Sequence, residues 1–86
     1  MMIYRTGDWA SAKVADEIMM INIEQCLYLG MNAVGARIWE LIEQPAEIEV
    51  VCAALRTEFD VAPDVCRAEV DAFVEKMAAY GAIAVG

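Results

Sequence analysis

Thiols and carboxylates are the side chains here that could do chemistry: cysteines at 26, 52 and 66 and fourteen Asp and Glu, in a sequence without histidine. A thiol nucleophile needs a base or a strongly positive surrounding to release its proton. Nothing in the sequence supplies either. Carboxylates can act as acid and base in pairs, and candidate pairs are Glu40 with Glu43, Glu47 with Glu49, and Glu69 with Asp71. At helical positions these read as solvated faces, because acids are seldom buried unpaired. There is no glycine loop of the kind that cradles phosphate. Three cysteines without a CxxC spacing, and no histidine beside them, support neither a disulfide framework nor a zinc site. Cys52 and Cys66 instead suit apolar helix faces, where cysteine behaves as a small hydrophobe. The expectation is a protein that is not an enzyme and uses no metal and no cofactor.

Binding is then the remaining chemistry. At 86 residues the chain is read as one domain, 1–86, with a small core. Hydrophobic residues make up 60% of it, more than so small a core hides, so part of the surface is a candidate contact site. The net charge is −8, and the bases Arg5, Lys13, Arg37, Arg56, Arg67 and Lys76 are scattered. Nucleic acid is therefore not an expected partner. No apolar run approaches the roughly 20 residues that span a bilayer, so no membrane is expected and the chain reads as cytoplasmic.

The elements that would position a binding surface follow from period and punctuation. Residues 1–8 show no clear period and read as a loose N-terminus. Trp9 to Val14 is a weak first strand, Ala15-Asp16-Glu17 a turn, and Ile18–Ile21 and Cys26–Leu29 two apolar runs joined by about four residues, as in a β-hairpin. Asn32 can cap a helix whose Val34, Ile38, Leu41 and Ile42 share one face. Gly35 costs that helix roughly 0.5–1 kcal/mol relative to Ala, which suggests that another backbone passes close by. Gln44-Pro45 stops the helix. Ile48, Val51, Cys52, Leu55 and Phe59 mark a second helix, Asp60-Val61-Ala62 a break, and Pro63 the first turn of a third, whose buried face is Cys66, Val70, Phe73, Val74 and Met77. Ala62 is a poor cap, and Gly81 suits the position just past the end.

The fold class expected is α+β: a three-stranded antiparallel sheet followed by three helices, the plan of a winged helix-turn-helix. A winged-helix transcription regulator is the obvious reading of that plan, but the third helix sets Arg67 and Lys76 against Asp64, Glu69, Asp71 and Glu75. At 100° per residue its Val65, Glu69, Ala72, Phe73, Lys76 and Tyr80 form a mixed flank beside the buried face, suited to wall a groove. If Cys26, Leu27, Tyr28 and Leu29 form a sheet edge beside it, their free backbone groups are a template for an added strand. The same edge allows a homodimer.

The run Gly30-Met31-Asn32-Ala33-Val34-Gly35-Ala36-Arg37-Ile38-Trp39-Glu40-Leu41-Ile42, continued by Val51, Leu55, Phe59-Asp60-Val61, Val70, Phe73, Val74, Met77 and Gly81, resembles the PqqD-like family over about residues 17–85. That family comprises recognition domains for the leader peptides of ribosomally made, post-translationally modified peptides. Met31 stands where the family usually has Leu, and Ala33-Val34 where it commonly has Glu-Thr. The resemblance implies a non-catalytic adaptor that binds a precursor leader peptide as an extra strand. The backbone of Cys26 to Leu29 would pair with the leader, and Val65, Glu69, Ala72, Phe73 and Lys76 would hold its side chains. The run Leu27 to Asn32 is most similar to stand-alone recognition subunits of lasso-peptide systems, which present the precursor to a separate leader peptidase before a cyclase closes the ring. The alternative within the family is a peptide chaperone for a radical S-adenosylmethionine enzyme in pyrroloquinoline quinone biosynthesis.

Overall fold

The strand from Glu17 to Asn22 buries Ile18, Met20 and Asn22 and exposes Glu17 and Met19, the period of two that a sheet covered on one face requires. In the computed structural model, which describes residues 1–86, it is one of nine elements. Their order is β1 (Met2–Arg5), β2 (Ala10–Val14), β3 (Glu17–Asn22), β4 (Leu27–Met31), α1 (Ala33–Leu41), β5 (Ala46–Glu47), α2 (Ile48–Glu58), α3 (Pro63–Ala79) and β6 (Ile83–Val85). The expected α+β plan is present, with β2, β3 and β4 forming an antiparallel sheet ahead of three helices.

Register follows from the pattern of burial. Ile18 lies opposite Met31 and Met20 opposite Leu29, and all four point into the core. The outward face carries Val14, Met19 and Tyr28, so the surplus of apolar residues does reach the surface. Asn22 pairs with Leu27 across a four-residue loop, where its Oδ1 accepts from the Gln25 N–H at 3.1 Å and the Cys26 N–H donates to the Ile23 carbonyl at 3.3 Å. Cys26 is thus a turn residue with φ 55°, and not the first residue of the strand, as its apolar character suggested. The left-handed region is one that glycine or asparagine fills more cheaply.

Asn32 caps α1 as expected: its Oδ1 accepts from the Gly35 N–H at 2.9 Å. Ile38, Trp39 and Ile42 reach the core from this helix, which ends at Leu41, ahead of Gln44-Pro45. Helix α2 buries Ile48, Val51, Cys52 and Leu55, and α3 buries Cys66, Val70, Val74 and Met77, with Phe59 and Phe73 half-buried. Ala62 makes no side-chain cap. The far end of α3 closes with Gly81 at φ 77°, the Gly81 N–H donating to the Ala78 carbonyl and the Ala82 N–H to Met77, a paired arrangement that satisfies the last carbonyls.

The N-terminus departs from expectation. Residues 2–5 are not loose: β1 lies at the centre of a second sheet, between β5 and β6, with Ile3 fully buried. Arg5 donates through Nε to the Trp39 carbonyl at 3.2 Å, and its guanidinium stacks 4.3 Å from the centre of the Trp39 ring. Four residues with no internal period are held here by partners far along the chain, which a local pattern does not reveal.

Candidate functional site

Strand β4 is an edge of its sheet: β3 covers one side and the other is open. Alternate backbone N–H and C=O groups along that side face outward without a strand partner. The strand runs through Met31 directly into the cap of α1, and α3 faces this junction. Between them lies a trough of three adjoining hollows. The first, about 310 Å³, is lined by Gly30, Met31, Asn32, Gly35, Phe73, Lys76 and Met77. The second, about 340 Å³, shares Asn32, Gly35 and Phe73 with it and adds Val34, Ile38, Glu69 and Ala72. Val34 and Glu69 continue into a third of about 240 Å³, completed by Leu55, Phe59, Asp60, Val61 and Cys66.

Of the residues singled out from sequence, Glu69, Ala72, Phe73 and Lys76 meet in this trough. Val65 is exposed on α3 and lines none of the three hollows. Along the edge strand, Tyr28 points to the outer face, Leu29 to the core, and Leu27 is half-buried, while Cys26 lies in the turn beyond. The hollows thus open beside Gly30 and Met31, the opposite end of the strand from Cys26.

Sequence reasoning did not include Gly30, Met31, Asn32, Val34 or Gly35 among the binding residues. Gly35 carried a signal, but the group that approaches it is not a backbone. A Cβ placed there would stand 2.9 Å from Cε1 of the Phe73 ring and 3.4 Å from the Met31 Cβ. The missing side chain lets the Phe73 ring lie down against α1 and shape the first two hollows. Replacing Gly35 with Ala is expected to leave thermal stability within a few degrees, since helix propensity improves by about 1 kcal/mol while the ring is displaced. The ring's displacement should nonetheless weaken any ligand of the trough about tenfold. Parallel melting and binding titrations would separate the two effects.

Charge is distributed unevenly around the trough. Arg67 is engaged by Asp71 at 3.1 Å and Glu49 at 3.6 Å, and the Asp71 hydrogen bond raises its pKa further. Lys13, Glu40, Arg37 and Glu58 form a chain of ion pairs that ties β2 to α1 and α2. Glu69, Asp60 and Lys76, which line the trough, have no ion-pair partner. No group of three or more His, Cys, Asp or Glu is placed to hold a metal. Burial pushes the Cys52 thiol above its ordinary range, the reverse of activation, and neighbouring Cys66 adds to the effect.

With this geometry in view, the sequence profile described as Coenzyme PQQ synthesis protein D (PqqD) matches residues 17–83. The chain belongs to the PqqD family. The matched span takes in β3 through α3, and so every element around the trough, while β1 and β2 of this PqqD domain lie outside it. Its fold is similar to the solved structure of TbiB1 in complex with the TbiA(beta) leader peptide, with a TM-score of 0.82 and 26% sequence identity over 90% of each chain. No curated protein sequence matches it significantly. No helix of this PqqD domain is long and apolar enough to cross a membrane.

Proposed function

We propose that this protein is a non-catalytic adaptor that binds the leader segment of a ribosomally made precursor peptide and presents it to a separate modifying enzyme. The observation that carries this reading is the open edge of β4 beside the α3-walled trough, in a fold similar to one solved with a leader peptide. An added strand on β4 gains affinity from main-chain hydrogen bonds, and the hollows select its side chains. Backbone of Leu27 to Met31 would pair with the peptide, with Glu69, Ala72, Phe73 and Lys76 on the opposite wall. Val65 and Cys26 lie outside the hollows and are left out of this site.

The modifying enzyme of this reading is a leader peptidase of the lasso-peptide type, on the resemblance of the Leu27–Asn32 run. The family's description favours a second reading, in which the partner enzyme serves coenzyme PQQ synthesis. A winged-helix regulator is disfavoured by α3, where the ion pairs of Arg67 leave Lys76 as its one unpaired base. Titration of the labelled domain with synthetic leaders encoded beside its gene should shift the amide resonances of Leu27–Met31 and of α3, with micromolar or tighter affinity. Absence of heat and of shifts at high peptide concentration would refute the adaptor reading.

A further inference from the structure

The trough has a charge order along its length. Lys76 lines the hollow at the β4 end, Phe73 lies between, and Glu69 lines both the middle hollow and the one that Asp60 completes. None of these three charges is neutralised within the fold, although Lys13, Arg37 and Arg67 all are. A charge left unpaired on the rim of a hollow is free to pair with a ligand. The surrounding protein carries net charge −8, which draws cationic segments toward it over longer range.

We infer that the groove selects its peptide by charge order, taking a basic side chain at Glu69 and Asp60, an apolar one against Phe73, and an acidic one at Lys76. The inference rests on the peptide-binding reading above and adds to it the chemical class of the peptide. Glu69 and Lys76 are seven positions apart on α3, hence about 10 Å along the helix axis. That distance is spanned by about three residues of extended chain, so the acid and the base of the peptide should stand roughly two to four residues apart. Glu69, as the acid common to two hollows, is the specificity-determining residue.

The test is a displayed library of random short peptides, selected against the wild-type domain, E69K and K76E. Wild-type selection should enrich Lys or Arg on one side of an apolar residue and Asp or Glu on the other. The synthesised consensus peptide should bind E69K about three- to tenfold more weakly than wild type, a loss expected of a partly exposed ion pair that is reversed in sign. Exchanging the peptide's base for Glu should restore affinity to E69K and weaken binding to wild type by a similar factor, and added salt should weaken the wild-type complex. If peptides are enriched and Phe73→Glu abolishes their binding, yet they show no charge order or bind E69K unchanged, the charge-order inference is overturned and the peptide-binding reading stands. If no peptide is enriched against any of the three proteins, the charge-order inference is overturned, and the leader titration above decides the peptide-binding reading.

Discussion

Phe73→Glu is expected to abolish leader-peptide binding, weakening it by at least about 100-fold, while the domain stays folded. The ring lines two of the three hollows and rests against the open face of Gly35, so it is the aromatic surface that those two hollows share. Aromatic side chains at the centre of an interface commonly cost 2 kcal/mol or more when truncated, which is about 30-fold. A carboxylate in its place adds two further penalties: it must be desolvated by the peptide, and it stands one helical turn from Glu69. The fold should tolerate the change because Phe73 is only half-buried and the stripe Cys66, Val70, Val74, Met77 beneath it is untouched. The measurement is paired: calorimetry for affinity, and a thermal melt for integrity. Phe73→Ala separates the causes, since it removes the ring without adding charge and should lose about 30-fold. Retention of wild-type affinity by Phe73→Glu would move the binding site away from this wall.

Which parts of the molecule a sequence discloses depends on how far apart the interacting residues are. Asn32 and the stripes of α1, α2 and α3 are visible because a cap and a 3.6-residue period are written within one or two turns. The flank of α3 was visible for the same reason: Glu69, Ala72, Phe73 and Lys76 follow from helix geometry once the buried face is known. Gly35 was legible only by half. A glycine in a helix signals a close approach, but the Phe73 ring that approaches is thirty-eight positions away, and nothing local distinguishes it from a backbone. Cys26 failed differently, because its apolar character continues the strand pattern while the left-handed turn it occupies is usually marked by Gly or Asn. Val65 shares the helix flank and yet lies outside the trough, since the third hollow is closed by Phe59, Asp60 and Val61 from the preceding connection.

The N-terminal strand was the least legible element, and it makes the strongest stability prediction. Ile3 is fully buried, lies opposite Ala46 in β5 and Val85 in β6, and belongs to the same core cluster as Ile38, Leu55 and Met77. Ala46 and Val85 are more than forty and eighty positions away, so no short window of sequence contains these partners. Ile3→Ala is therefore expected to cost about 2–5 kcal/mol, the transfer term plus the cavity left in a core that relaxes only in part. At roughly 0.05–0.15 kcal/mol per residue, 86 residues hold about 4–13 kcal/mol in all, so the loss is a large fraction of the total. A domain of this size shifts its melting temperature by about 4–8 °C per kcal/mol, which predicts a fall of about 8–40 °C. Val85→Ala on β6 is the control, because that side chain is 44% exposed and its loss should cost little. A truly loose N-terminus would make Ile3→Ala as silent as the control. The effect should also reach the trough: Arg5 bonds the Trp39 carbonyl and stacks on its ring, so loosening β1 loosens α1, which carries Asn32 and Gly35. Ile3→Ala should accordingly speed amide exchange in α1 even at temperatures where the domain remains folded.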